Sequence, residues 1–158
     1  MASKPQKVVE VLVGGLRCAV PLDRTVEVLP RVEITRLPGL KLPVVGHLRH
    51  RDRVLPAVDL RARLGREPAV APFDEHVLIV SVRREDGSED RLALLVDRVL
   101  GVTELDPEQA EPTTEGLPIV AGMVPWPDGL LVLLEPDRAL TAEEEAALHD
   151  ALDPEEGE

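Results

Sequence analysis

Aromatic side chains are nearly absent from this 158-residue sequence: Phe73 and Trp126 are the whole complement, and there is no tyrosine. Without rings on which bases can stack, a single-stranded nucleic-acid platform is not expected. The net charge of −12 argues against phosphate backbones in general, so nucleic acid is set aside as a partner. Cysteine is limited to Cys18, which cannot form an internal disulfide and fits a reducing cytosol. Long apolar runs are missing too. Nothing approaches the ~20 residues of a membrane span, and Glu10 interrupts the short apolar stretch of the N-terminus, which is unlike a signal peptide. A cytoplasmic protein with no direct membrane insertion is expected.

Catalytic signatures are also lacking. There is no P-loop, no G-x-G-x-x-G and no G-x-S-x-G, so neither an enzyme nor a cofactor has positive support. His47-x-x-His50-x-Asp52 is the nearest approach to a metal site, but in one strand His47 and His50 would point to opposite faces. No metal is expected there, and the segment reads as a solvated polar strand. Cys18 lies in an apparent strand without a neighbouring base and reads as a small core residue. Asp59 and Asp97 each follow an apolar strand, where Asp commonly caps or turns the chain.

What the sequence does have is branched aliphatics: 25 Leu, 22 Val and 3 Ile, with Val enriched as strands prefer. Val8–Val13 and Arg17–Pro21 flank Gly14-Gly15 and predict a hairpin. Thr25–Val28, Arg31–Thr35, the pair Val44–Leu48 and Arg53–Val58, and the hairpin Val77–Val82 with Arg91–Val96 follow. Val99–Leu105, Ile119–Val124 and Leu130–Leu134 complete the strands. Pro56 suggests an edge or bulge, and Asp59 caps a short helix stopped by Gly65. Thr141-Ala142-Glu143-Glu144 carries a capping box for a C-terminal helix with Ala147, Leu148, Ala151 and Leu152 as its stripe. The Pro/Ala-rich stretch near 67–72 reads as a linker, and residues 153–158 as an acidic tail.

Two blocks repeat. Residues 19–28 resemble 93–102 at an offset of 74, while Gly46, Asp52, Leu55 and Leu64 match Gly122, Asp128, Leu131 and Leu140 at an offset of 76. Two copies of one supersecondary unit are expected, forming similar β-subdomains packed on one another. The charge is uneven as well. Residues 1–66 hold 13 Lys/Arg against 6 Asp/Glu, whereas residues 135–158 hold 1 against 10. Within the basic part, His47, Arg49, Arg51 and Arg53 would share one strand face. Two readings stay open for it: a solubilising edge, or a docking face for an acidic protein, since guanidinium binds carboxylates bidentately.

Residues 46–61, Gly-His-Leu-Arg-His-Arg-Asp-Arg-Val-Leu-Pro-Ala-Val-Asp-Leu-Arg, resemble the central signature of CheW-like domains. Ala19-Val-Pro-Leu-Asp, Val26-Glu27-Val28, Leu37-Pro38-Gly39, residues 95–99, Val120-Ala121-Gly122 and residues 130–134 fit in order, so the resemblance covers about Val8 to Leu152. It implies one mainly β domain over 8–152, with two five-stranded SH3-like β-barrel subdomains around a shared core. It also implies a non-enzymatic scaffold at receptor arrays. Its partners would be the regulatory domain of a CheA-type histidine kinase and the signalling tip of a methyl-accepting chemoreceptor, the tip lying in the groove between barrels. Carried over by position, Glu27 and Arg51 match an acidic–basic pair at the receptor surface. Gly46 matches a glycine where bulk would obstruct the groove, and Thr25 and Val102 match contact positions. Arg49 adds a charge beside them. Kinase docking falls by analogy around Val32, Ile34 and the 37–42 loop, with the solvent-prone Leu40 preferred.

The sequence departs from the family's pattern at four places, one of them Thr25, where Val is more usual. His50 replaces an apolar residue, Asp52 a glycine, and Arg49 an uncharged polar residue. Asp52 is also placed to compete with Glu27 for Arg51. Two readings follow: the receptor tip is correspondingly acidic, or this copy is a specialised regulator that binds only kinase or receptor and modulates array assembly.

Overall fold

A computed structural model describes residues 4–30, 33–36, 38–67, 76–112 and 116–152, with side chains to residue 148. Val32, Leu37, most of the expected linker and the acidic tail lie outside the described residues, as do the side chains of Ala151 and Leu152.

Among the described residues, ten strands and two α-helices alternate with short 3-10 turns. The strands are β1 (Gln6–Val13), β2 (Leu16–Pro21), β3 (Thr25–Leu29), β4 (Val44–His50) and β5 (Arg53–Asp59). After α1 (Leu60–Arg63) come β6 (His76–Arg83), β7 (Glu89–Val96), β8 (Arg98–Leu105), β9 (Val120–Trp126) and β10 (Gly129–Leu134), then α2 (Ala142–Leu152). They form two five-stranded sheets, β8-β1-β2-β10-β9 and β3-β6-β7-β5-β4. The protein is thus mainly β, with two SH3-like subdomains.

Neither sheet is a contiguous half of the chain. The N-terminal hairpin joins the three C-terminal strands, while β3 to β7 build the other sheet. The strands flanking the expected linker, β5 and β6, therefore belong to one sheet. Pro56 is not at an edge either, because β5 lies between β7 and β4. Its parallel ladder to β7 begins only at Ala57, so the missing N–H of Pro56 falls just outside that ladder.

Both repeat offsets recur in the pairing. The parallel contact Ala57↔Ala93 in one sheet is Leu133↔Ala19 in the other, shifted by 76 and 74. The isolated bridge Thr35↔His47 recurs as Glu111↔Met123, both members shifted by 76. Bulges at Val26 and Leu100 likewise coincide at the offset of 74.

The central strands are apolar on both faces, and the two faces feed different cores. Along β6, Leu78, Val80 and Val82 join a cluster with Val9, Val11, Cys18 and Val20 of the other sheet. Val77 and Ile79 point the opposite way, into the interior of their own subdomain with Leu48, Leu55 and Leu95. Val8, Ala19, Leu105, Val124 and Leu131 fill the second interior. Each large aliphatic fully buried in this way contributes about 1.5–3 kcal/mol, which explains why a chain with two aromatics has sufficient core.

Two polar clamps join the sheets. Arg61, 3% exposed, bonds Asp59 and Asp97, each at 3.0 Å, and Asp97 accepts from Gly14 N in the β1–β2 turn at 2.7 Å. At the matching place Asp137 holds Arg24 through two bonds of 2.9 and 3.0 Å and accepts from Arg83 N at 2.7 Å. Arg61 and Asp137 are 76 positions apart, so the two clamps share a location with inverted charge. The expected caps are present as well. Asp59 accepts from Arg61 N, and Thr141 and Glu144 exchange bonds of 2.7 and 3.1 Å.

Candidate functional site

β4 and β5 form a hairpin whose closing pair is His50↔Arg53, leaving Arg51 and Asp52 as its turn. Arg51 takes φ +58°, a left-handed conformation that costs a non-glycine residue about 1–2 kcal/mol. The expected four-residue basic face is therefore broken. Arg49, Arg51 and Arg53 are exposed, but His47 and His50 are buried, not the solvated residues of a polar strand.

The turn reaches across the subdomain. β3 and β4 are the terminal strands of their sheet, and Glu27 on β3 meets the β4–β5 turn, closing the seam between them. Glu27 Oε1 lies 2.8 Å from His50 Nε2 and 3.2 Å from Arg51 Nη2. The hydrogen bond from His50, with the Arg51 charge beside it, holds the Glu27 carboxyl below the usual range. The expected Glu27–Arg51 pair is present, and the guanidinium stays 70% exposed. Arg49 Nε donates to the Arg51 carbonyl at 3.3 Å. Residue-type reasoning missed His50, whose only signal was a polar residue where the resembling family carries an apolar one.

The seam of the other subdomain carries different residues. The positions equivalent to Glu27 and His50 are Gly101 and Trp126, and Trp126 packs against that subdomain's apolar interior.

The remaining candidates are dispersed. Thr25 starts β3, and its hydroxyl donates to the Pro21 carbonyl at 3.1 Å. Val102 lies on β8 of the other sheet and is 60% exposed. Gly46 is buried beneath residues 33–36, where a Cβ would run into the Thr35 carbonyl oxygen. It serves that close backbone approach. Arg31–Thr35 is not a strand among its described residues but contributes the single bridge of Thr35 to His47. Ile34 turns its side chain toward the core. Leu40 is not solvent-prone: it is half-buried, packs on the shared core and lines a cavity of about 330 Å³ with Val44, Lys41, Glu143, Ala147 and Leu148.

Among the described residues no group of His, Cys, Asp and Glu is arranged to hold a metal, and no helix is long and apolar enough to cross a membrane. Burial pushes the Cys18 thiol up to about 12 against the opposing charge of Arg66, so at neutral pH the nucleophilic thiolate is scarce.

The CheW-like domain family model matches residues 7–144. A probable chemotaxis protein CheW from Rhizobium etli is 39% identical over 82 residues, covering 51% of this chain and 49% of that protein. The chain thus matches about half the length of that relative. The crystal structure of the scaffolding protein TtCheW from Thermoanaerobacter tengcongensis superposes with a TM-score of 0.73 at 24% identity, covering 84% of this chain and 90% of that one. With a matching model over most of its length and two sheets of the same fold, the chain belongs to the CheW-like domain family.

Proposed function

We propose that this protein is a non-enzymatic adaptor coupling chemoreceptors to a CheA-type histidine kinase, and that a receptor signalling tip docks where Glu27 presents Arg51. The observation that carries the reading is the Arg51 guanidinium. It is 70% exposed, yet tethered at 3.2 Å to a carboxylate across the seam, at the place the resemblance assigns to the receptor. An exposed pair of this kind adds only about 0–1 kcal/mol to stability, so a stabilising role leaves the arrangement without much purpose. Arg49 and Arg53 beside it favour an acidic receptor tip. Thr25 and Val102 are further contacts in this reading, and Leu40 with Val44 borders the kinase side.

Titrating a receptor hairpin fragment tests the assignment. Arg51→Ala is expected to retain the wild-type melting temperature within about 2 °C and to lose at least tenfold in affinity. Equal affinities would remove Arg51 from the site. A specialised regulator that binds kinase alone is the second reading, favoured by the departures at Arg49, His50 and Asp52. Pull-down with the receptor tip, with and without the kinase's regulatory domain, separates the two.

A further inference from the structure

We infer that His50 is a positioning residue that holds the Glu27 carboxylate, and through it the Arg51 guanidinium, in the docking pose. The inference rests on the docking role proposed above. His50 is 5% exposed, and its Nε2 is closer to Glu27 Oε1, at 2.8 Å, than Arg51 Nη2 is at 3.2 Å. A carboxylate only accepts, so Nε2 must carry the proton it shares. Nδ1 is buried with no hydrogen-bond partner, so the single bond to Glu27 sets the ring's polar contact.

The mechanical contrast points the same way. The Arg51 side chain is long and 70% exposed and cannot by itself fix a carboxylate that is also partly open to water. A ring locked in the subdomain interior can. Asp52 completes the turn, Arg53 follows it, and Arg49 donates to the Arg51 carbonyl, but the His50 ring is the buried group that grips the carboxylate. The fold does not require the bond, because Gly101 and Trp126 occupy the equivalent places in the other subdomain.

His50→Leu fills the volume without a donor, whereas His50→Gln keeps an N–H near Nε2. The Glu27 carboxyl titration is followed by carbon NMR in both variants, with melting curves and receptor-hairpin titrations alongside. In His50→Leu the Glu27 midpoint should rise and hairpin affinity should fall about tenfold, with both restored toward wild type in His50→Gln. An unchanged Glu27 midpoint in His50→Leu, or a His50→Gln variant as impaired as His50→Leu, would overturn the inference. If wild-type protein fails to bind the hairpin, the docking reading falls by itself. His50's hold on Glu27 is then decided by the carboxyl titration.

Discussion

His47 and His50 are both buried on β4 and take opposite fates. His50 has Glu27 for a partner, while both ring nitrogens of His47 are buried without one. Burial disfavours the imidazolium and lowers the His47 pKa from 6.5. Below that value the unfolded chain takes up a proton that the native ring resists, so stability rises with pH. The contribution is complete above pH 6.5 and is lost as pH falls from there through the depressed native value. The urea midpoint is therefore expected to drop between pH 7 and pH 5.5, and His47→Val should flatten that dependence. An identical slope in the variant would show that His47 is not the titrating group. Neither histidine's burial was legible beforehand, because alternation placed them on opposite strand faces and treated one of those faces as wet. In the fold both are buried, His47 where its backbone pairs with Thr35 and His50 against Glu27. Residue type alone carries no sign of that.

At the scale of elements, most of the local structure was legible. Gly14-Gly15, the Asp59 cap and the Thr141 capping box produced features that local hydrogen bonds satisfy within a few residues, and such features depend little on the rest of the fold. The turn at Arg51–Asp52 was harder to read as the end of a strand, since arginine at φ +58° offers none of the glycine or asparagine chemistry that marks a tight turn. Gly46 shows the same divide. Its glycine was visible, but the reason for it is the strap at residues 33–36, which returns from elsewhere in the chain. Gly122 repeats the arrangement, a Cβ there lying 2.9 Å from the Glu111 carbonyl oxygen. Gly46→Ala should therefore destabilise by about 1–3 kcal/mol, as overpacking does, measured by chemical denaturation. A neutral substitution would mean that the strap yields freely and that the glycine is needed for docking instead.

Across the whole molecule, the offsets of 74 and 76 reported the repeat but not how its copies interleave. Strand exchange between the halves is decided by long-range pairing, on which local periodicity is silent. The two subdomains share a frame and a core, yet their seams differ. One seam carries Glu27, His50 and Arg51, and the other carries Gly101 and Trp126. The inverted clamps at Arg61 and Asp137 show the same divergence in the polar links between sheets. Net charge hid this asymmetry, because residues 1–66 hold 13 Lys/Arg against 6 Asp/Glu while residues 67–158 hold 5 against 24. On the adaptor reading proposed above, unlike surfaces on one molecule are what the role needs, and a diverged repeat supplies them. The direct test is co-sedimentation of a CheA-type regulatory domain with receptor signalling fragments held on vesicles. The kinase domain should pellet above background only when this protein is added, and Arg51→Ala should abolish the gain. Pelleting to the same extent without this protein, or no gain with it, would contradict the coupling role.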